Sequence, residues 1–332
     1  MKQRQTLKTR WAAILLALLL PSAAFALTDG DTFTVNTTEG VTMTFQVIST
    51  TSRTCRVYGD WGHPSIESTV SGKVTIPSVA SGYSVVEISD YAFFKCQNLT
   101  TVSMPNSIKT IGAAFYGCTS LAAISGIGSV ENITSNYAFD NTPWYANLPN
   151  GMINIGKVAF QYKGTMPENT TITIEDGIVS IGPSAFGGQV NLVGITIPES
   201  LTIINDKAFR GCRNLSIITV SPENKTYDSR NNCNAIIRTA DNTLVVGGVN
   251  TPIMGSVKKI ARHAFYGINI SSINTNLVET IEEYAFDASA LKSVHIGGVK
   301  NLYNKSFYSC SNLQSITVSS DNYNLFAIFL PV

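Results

Sequence analysis

The sequence predicts a β-rich solenoid, a fold in which short coils of chain stack on one another, and three observations support this prediction. A phrase built on Ala-Phe recurs along most of the 332 residues. Most copies are followed by an L-x-x-I-x-I pattern, whose alternation is typical of a short, half-buried strand. Charged residues make up only 14% of the chain, against about 25% in an average soluble domain, and Ser, Thr, Asn and Gly replace them.

The Ala-Phe phrase sets the length of the predicted coil. Its phenylalanines are Phe93, Phe115, Phe139, Phe160, Phe186, Phe209, Phe265, Phe286 and, in a weaker copy, Phe307. All but one of the intervals between them are 21–26 residues long, and the exception, of 56 residues, contains an insertion over 220–256. An aliphatic residue stands about five positions before most of these phenylalanines, and we expect it to lie in a tight turn or a second short strand. We therefore predict about nine coils of 21–26 residues.

The strand pattern explains why the coils must stack. In segments such as 192–197 and 291–296, alternate residues are apolar. One coil of about 23 residues cannot bury that apolar face by itself. Stacked coils bury it, because each Leu, Ile and Phe packs on the equivalent residue of the next coil. The strands of successive coils then pair in parallel, about 4.8 Å apart.

The complete repeat, I-x-x-x-A-F-x-x-C-x-x-L-x-x-I-x-I-P, resembles the BspA-like leucine-rich repeat of surface proteins from anaerobic mucosal bacteria. The resemblance covers nearly all of the chain after its first 26 residues. It includes two segments that differ from the plain repeat: residues 224–248 resemble a β-hairpin unit inserted between coils, and residues 144–167 resemble another recurrent module. The resemblance implies a non-enzymatic surface protein that adheres to host extracellular matrix proteins or to other cells.

Three regions follow from the sequence. Residues 1–26 have the features of a signal peptide: four basic residues, a ten-residue apolar stretch and an Ala-Phe-Ala motif before the expected cleavage after Ala26. Residues 27–72 lack the repeat but alternate in polarity, which predicts an antiparallel β cap over the first coil. Residues 73–332 form the predicted solenoid, with an inserted hairpin unit at 220–256. Its apolar final segment, 325–332, is either a second cap or the remnant of a longer gene.

Charge and targeting limit the classes of partner. Cleavage of the signal peptide leaves 19 basic and 22 acidic residues, a net charge of −3, without any cluster of Lys and Arg. Nucleic acid and anionic membrane surfaces are therefore not expected partners. We expect a secreted or cell-surface protein without a transmembrane segment. The first cysteine is Cys55, which argues against a lipid-anchored lipoprotein.

Cysteines and histidines are the residues that could carry chemistry, and the repeat explains most of them. Cys96, Cys118, Cys212 and Cys310 stand three residues after a repeat Phe, where other coils have Thr, Gln, Ile or Ser. We expect a column of buried free thiols, with a Cys96–Cys118 disulfide as the alternative. No C-x-x-C motif points to zinc, and none of the three histidines has a nucleophile and an acid at a recognised spacing. We expect no catalytic residue, metal or cofactor.

The outward residues of the predicted strands are the remaining candidates for a functional site. They are small, uncharged and mostly hydroxylated: Thr101, Ser103, Gly194, Thr196, Thr219, Ser293, His295, Ser315 and Thr317. A flat polar face suits a protein or a glycan better than a small molecule, which needs a concave pocket. Adhesion through this face is our functional hypothesis. A surface glycan-binding protein for nutrient capture and a structural spacer are the alternatives, and β-propensity with solubility explains the same residues without any ligand.

Overall fold

The structure, a computed structural model, describes residues 26–319. The predicted signal peptide up to residue 25 and the predicted C-terminal cap at 325–332 lie outside these residues. The described chain is a β-solenoid of about 11 turns with almost no helix, which confirms the predicted fold class. There are more turns than the nine Ala-Phe copies because segments without that phrase also pair with the stack.

Most coils contain two strands. The L-x-x-I-x-I pattern forms one of them, which we call the ladder strand. The aliphatic residue before the Phe ends the other, which we call the turn strand and which is mostly two residues long. The Phe then lies in a tight turn, so the second short strand and the turn are both present.

The first third of the solenoid contains ten strands. They are β1 (Thr32–Asn36), β2 (Thr42–Ser49), β3 (Thr54–Val57), β4 (Gly72–Thr75), β5 (Val79–Ala80), β6 (Tyr83–Ile88), β7 (Leu99–Ser103), β8 (Thr110–Ile111), β9 (Ala123–Ser125) and β10 (Asn132–Ile133). Strands β1, β2 and β3 pair antiparallel, and β3 then pairs in parallel with β6, which continues into β8 and β10. The ladder strands of this third form a separate parallel sheet, β4-β7-β9.

The middle third repeats this plan after a 3-10 turn at Ile127–Ser129. Its elements are α1 (Pro143–Ala146), β11 (Gly151–Ile155), β12 (Val158–Lys163), β13 (Thr170–Thr173), β14 (Ser180–Ile181), β15 (Leu192–Ile197), β16 (Ile203–Ile204) and β17 (Ile217–Val220). Thr142 precedes Pro143 and caps α1, because its hydroxyl accepts a hydrogen bond from the Tyr145 amide. The antiparallel pair β11-β12 leads into the turn strands β14 and β16, and the ladder sheet is β13-β15-β17.

The last third follows the same plan a third time. Its strands are β18 (Tyr227–Asp228), β19 (Ala235–Arg238), β20 (Thr243–Gly247), β21 (Lys259–Ile260), β22 (Ser272–Asn274), β23 (Thr280–Ile281), β24 (Ser293–Ile296), β25 (Asn301–Leu302) and β26 (Ser315–Val318), with a 3-10 turn at Arg230–Asn232. The antiparallel strands β18-β19-β20 lead into turn strands β21, β23 and β25, and the ladder sheet is β22-β24-β26. Gly247 in β20 lacks a side chain because the Phe265 ring occupies that space.

A column of stacked phenylalanine rings forms the centre of the core. Eight of the nine repeat phenylalanines are buried, and the last, Phe307, is half-buried. The Phe93 and Phe115 rings stack with their centroids 5.1 Å apart, and the column continues in the later coils at 5.0–5.6 Å. Phe160 differs from the other copies: it lies in strand β12, and its ring meets that of Phe139 edge-on, at 86°.

The backbone of the Phe turn is left-handed at the position two residues after the Phe. All eight turns share this feature, with φ between 53° and 76° at Lys95, Gly117, Asn141, Gly188, Gly211, Gly267, Ala288 and Ser309. A left-handed conformation costs an ordinary L-residue about 1–2 kcal/mol, which explains why four of the eight are Gly and one is Asn.

The cysteine column is a hydrogen-bonding slot of the coil. The thiols of Cys118, Cys212 and Cys310 donate to the carbonyl oxygen of the Phe in the preceding coil, at 2.8, 3.1 and 3.0 Å. All six cysteines of the chain are free. Burial raises the pKa of the Cys96, Cys118 and Cys212 thiols to about 12. A thiol with so little thiolate is poorly suited to nucleophilic or redox chemistry, so the column has a packing role.

The hairpin turn between β1 and β2 is tied to the edge of the first ladder sheet. The carboxylate of Glu39 in this turn accepts hydrogen bonds from the backbone amide of Thr75 at 3.1 Å and from its hydroxyl at 2.6 Å. Thr75 ends β4, the edge strand of that sheet. The contact gives an amide at the sheet edge a charged hydrogen-bond partner, which is a common way of protecting an exposed edge.

The domain boundary at residue 72 stays a prediction, since the β3–β6 pairing joins residues on both sides of it.

Truncation of one ring should show how much the phenylalanine column contributes to the stability of the fold. Phe115→Ala should lower the free energy of unfolding by about 3–5 kcal/mol, because the ring is fully buried and stacks on both neighbouring rings. Thr219→Ala, at an exposed ladder position, should change it by less than about 0.5 kcal/mol. Urea unfolding followed by circular dichroism measures both, and equal losses would contradict the assignment of inward and outward positions.

The cysteine column should be inert in the folded protein. At mildly alkaline pH, Cys96, Cys118 and Cys212 should resist alkylation by iodoacetamide, because burial suppresses both access and thiolate formation. Half-buried Cys310 should react first, and all six thiols should react in urea. Peptide mass spectrometry identifies the labelled sites. Rapid labelling of Cys118 in the native protein would show that the column is not packed as described.

The Glu39 contact should make stability depend on pH. The hydrogen bonds from Thr75 lower the pKa of Glu39 from 4.5 to about 2. The charged form is therefore favoured in the folded state, and the contact stabilises the fold above pH 4.5 and loses its effect as the pH falls toward 2. The Tm difference between the wild type and Glu39→Gln should shrink over this range. Glu199→Gln, at an exposed position, serves as the control, and a constant difference for Glu39→Gln would contradict the contact.

Candidate functional site

The residues predicted to form one outward face lie on three separate ladder sheets. Thr101 and Ser103 lie on the first sheet, in β7. The second sheet carries Gly194, Thr196 and Thr219, in β15 and β17. The third sheet carries Ser293, His295, Ser315 and Thr317, in β24 and β26. Within each sheet the residues are in register, but the sheets are not paired with one another.

The second ladder ends because the inserted segment satisfies its last strand. The amide of Ile218 in β17 donates to the side-chain oxygen of Asn234 at 2.8 Å, and the amide of Val220 donates to the Ser229 hydroxyl at 3.1 Å. These side chains take the place of a next ladder strand. The chain returns to the ladder at β22, beyond the insertion, and a new sheet begins there.

The outward positions differ from sheet to sheet. On the first sheet the hydroxyls of Ser103 and Ser125 are hydrogen-bonded across adjacent coils at 3.1 Å. On the second sheet Gly194 is buried rather than exposed, because the side chain of Thr171 in the neighbouring strand covers it. Ile217 lies opposite Gly194 and is 55% exposed. These two sheets present a mixture of polar and apolar residues.

The third ladder sheet forms the floor of a groove of about 790 Å³. Two columns of outward residues line the floor: Ser272, Ser293 and Ser315 form one, and Asn274, His295 and Thr317 form the other. The segment 251–253 forms one wall and the exposed side chain of Leu277 also borders the groove. Four of the nine predicted residues therefore lie together in this groove.

Hydrogen bonds hold the wall of the groove in place. The hydroxyl of Thr251 accepts from the amide of Gly248 at 2.7 Å and donates to the carbonyl oxygen of Asn234 at 2.6 Å. Gly248 and Asn234 both belong to the inserted segment, so the insertion positions the wall against the ladder. Sequence analysis missed this wall, because residues 251–253 belong to no copy of the repeat.

Among the described residues that line the groove there is one histidine, His295, and no Asp, Glu, Lys or Arg. His295 Nδ1 lies 2.7 Å from the Thr317 hydroxyl, and its Nε2 lies 3.5 Å from the hydroxyl of Ser319. In residues 26–319 no carboxylate hydrogen-bonds to His295, so the orienting acid of a hydrolytic triad is not present there. The groove instead offers hydroxyl, amide and imidazole groups that can hydrogen-bond a partner on the floor of a concave surface.

A second histidine pairs with an acid at the Phe turns. His263 Nδ1 lies 2.6 Å from the Asp206 carboxylate, across the insertion. Burial raises the pKa of Asp206, but the hydrogen bond with His263 and the charges of Lys207 and Arg262 outweigh it, and the net shift is downward. A small cavity of about 180 Å³ adjoins the pair, and in the described chain no Ser, Thr or Cys lines it. The pair links the turns on the two sides of the insertion and stabilises the stack. Counting repeat positions across the insertion would have placed these residues in adjacent coils.

Between residues 26 and 319, no group of three or more His, Cys, Asp or Glu side chains is arranged to hold a metal ion. None of the helices within these residues has the length and apolar character that crossing a bilayer requires.

Solved structures with a similar chain come from several bacteria. A leucine-rich cell surface protein of Faecalibacterium prausnitzii is 20% identical, with 90% of this chain and 97% of that chain covered and a TM-score of 0.39. A leucine-rich repeat protein of Eubacterium ventriosum is 18% identical, with 87% and 85% covered and a TM-score of 0.39. The pneumococcal vaccine antigen PcpA is 15% identical, with 89% and 83% covered and a TM-score of 0.37.

The sequence also matches a protein family over most of its length. The family is described as the BspA type leucine rich repeat region, and it matches in six copies over residues 65–167, 154–237 and 249–327. No curated protein matches the sequence. The matched residues include all nine Ala-Phe copies and the segment 251–253 that forms the wall of the groove. The chain belongs to the BspA-type leucine-rich repeat family.

Proposed function

We propose that this protein is a non-enzymatic binding protein, secreted or exposed at the cell surface, that adheres to host extracellular matrix proteins or to other cells. The observation that carries the proposal is the groove on the third ladder sheet. It is concave, it is built on paired strands, and it presents uncharged hydrogen-bonding groups above a buried apolar layer. Membership of the BspA-type family supports a surface binding protein.

The chemistry of the groove favours a protein segment as the partner. Ser293, His295 and Thr317 offer donors and acceptors on adjacent strands, which are about 4.8 Å apart in a sheet. Ile253 and Leu277 also line the groove and add apolar surface beside these polar groups. An extended protein segment presents backbone amides and carbonyls together with side chains, and it can use both kinds of surface.

The proposal is tested by capture of residues 27–332 on immobilised fibronectin, fibrinogen and collagen. Ser293→Trp fills the floor of the groove and should weaken binding by about tenfold or more, because it removes contacts worth at least 1.4 kcal/mol. Thr101→Trp is the matched control, since Thr101 holds the corresponding outward position of a central ladder strand in the first sheet. It should leave binding within about twofold of the wild type.

Each of the other outcomes argues against part of the proposal. Unchanged binding by Ser293→Trp would place the site away from the third ladder, and equal losses for both variants would contradict a site confined to it. Saturable binding to none of the three proteins would refute matrix adhesion and favour a structural spacer. Cleavage of an immobilised ligand, abolished by one side-chain change, would overturn the non-enzymatic assignment.

A further inference from the structure

A second groove, of about 550 Å³, lies at the Phe turns rather than on the ladder. Most of its lining residues belong to three successive coils, those of Phe186, Phe209 and Phe265, and the others belong to neighbouring coils. The amide of Gly188 donates to the Arg210 carbonyl at 2.7 Å, and the amide of Gly211 donates to the Tyr266 carbonyl at 2.9 Å. The second bond joins residues on the two sides of the insertion. The stack of coils therefore continues beneath the inserted segment.

The groove exists because three adjacent turns have the same residue at their left-handed position. Gly188, Gly211 and Gly267 occupy it, with φ of 75°, 69° and 69°. Other coils carry side chains there, such as Lys95 and Asn141. The three glycines are close together: a Cβ on Gly267 would lie 2.9 Å from the Gly211 Cα. The absence of side chains leaves a trough of bare backbone into which a ligand can approach closely.

Two arginines line this trough and have no ion-pair partner in residues 26–319. They are Arg210 and Arg213, both exposed. The other described arginines have partners, which are Glu87 for Arg56, Asp228 for Arg230, Asp241 for Arg238, Glu283 for Arg262 and the Gly82 carbonyl for Arg53. None of the residues that line the groove carries a carboxylate. In a mature chain with a net charge of −3, two unpaired guanidinium groups in one groove indicate a site for an anion.

The arginines are accompanied by neutral polar groups at fixed positions. The Arg210 guanidinium lies over the Tyr266 ring, 5.4 Å from its centroid, which restricts its orientation. Gln161 also lines the groove. Its side-chain oxygen accepts a hydrogen bond from the Tyr145 hydroxyl at 2.6 Å, so its amide NH₂ group is the part that can donate to a ligand. Asn136 and Ser184 also line the groove and can hydrogen-bond hydroxyl groups.

We infer that this groove binds an acidic sugar, through a carboxylate or sulfate group held by Arg210 and Arg213. The planar guanidinium binds both kinds of oxyanion in a bidentate manner. Neutral amide and hydroxyl groups match sugar hydroxyls, and the volume falls within the roughly 300–1,000 Å³ of small-ligand sites. A nucleotide fits less well, because the Tyr266 ring already packs against Arg210 and His263 instead of offering a free face to a base.

The test is isothermal titration of residues 27–332 with three probes: a sialylated trisaccharide, a sulfated heparin-derived tetrasaccharide and neutral lactose. The two acidic probes distinguish carboxylate from sulfate. At least one should bind, and lactose should not. The double variant Arg210→Gln/Arg213→Gln should weaken binding by about tenfold or more, because it removes charge-assisted hydrogen bonds. Lys95→Gln is the control. It removes an exposed cation from a Phe turn outside the groove, at the left-handed position where the groove has glycines, and it should change affinity by less than about twofold.

Several results would overturn the inference. The inference is wrong if neither acidic probe binds, if lactose binds equally well, or if the double arginine variant binds the acidic probe as tightly as the wild type. Ser293→Trp should leave binding of the acidic probe intact, and the double arginine variant should leave capture by matrix proteins intact. The sugar site and the ladder groove can therefore fail or succeed independently.

Discussion

The stacking distance between coils is the constraint on which the rest of the structure depends. Parallel strands of adjacent coils pair at about 4.8 Å. The phenylalanine rings stack at 5.0–5.6 Å, close to this distance, so rings and backbone satisfy the same repeat. A residue that differs much in size at the Phe position would separate two coils or leave a cavity between them. Packing between coils therefore restricts the size of the inward residues, whereas the outward residues are free of this restriction.

The sequence predicts the solenoid well because each coil is an independent copy of the same constraint. The turn strands, the ladder strands and the free-thiol column all follow from positions counted from the Phe. It does not predict that the ladder divides into three sheets, because the first division falls over 126–169, where the phrase continues at Phe139 and Phe160, and the second falls at the insertion. Asn234 and Ser229, which satisfy β17, are polar residues of an insertion and carry no periodic signal. Phe160 lies in a hairpin strand, and the phrase alone, which allows a tight turn or a short strand, does not decide between the two.

The two candidate sites have different origins. The inserted segment at 220–256 ends the second ladder and supplies the wall at Thr251, so that the third ladder becomes the floor of a groove. The turn groove instead depends on three glycines at the left-handed position of adjacent turns. The coils stack beneath the insertion, where the Gly211 amide donates to the Tyr266 carbonyl, and this places Arg210 beside Tyr266.

The two grooves differ in the forces available for recognition. Among the described residues that line the ladder groove there is no Asp, Glu, Lys or Arg, so its affinity must come from shape, apolar contact and hydrogen bonds formed at short range. The turn groove contains two unpaired guanidinium groups, whose field reaches about 8 Å at physiological salt. Long-range attraction can therefore guide an anion to the turns, whereas a partner reaches the ladder without such guidance. Under the two proposals, an acidic sugar binds at the turns while the ladder remains available to a protein segment.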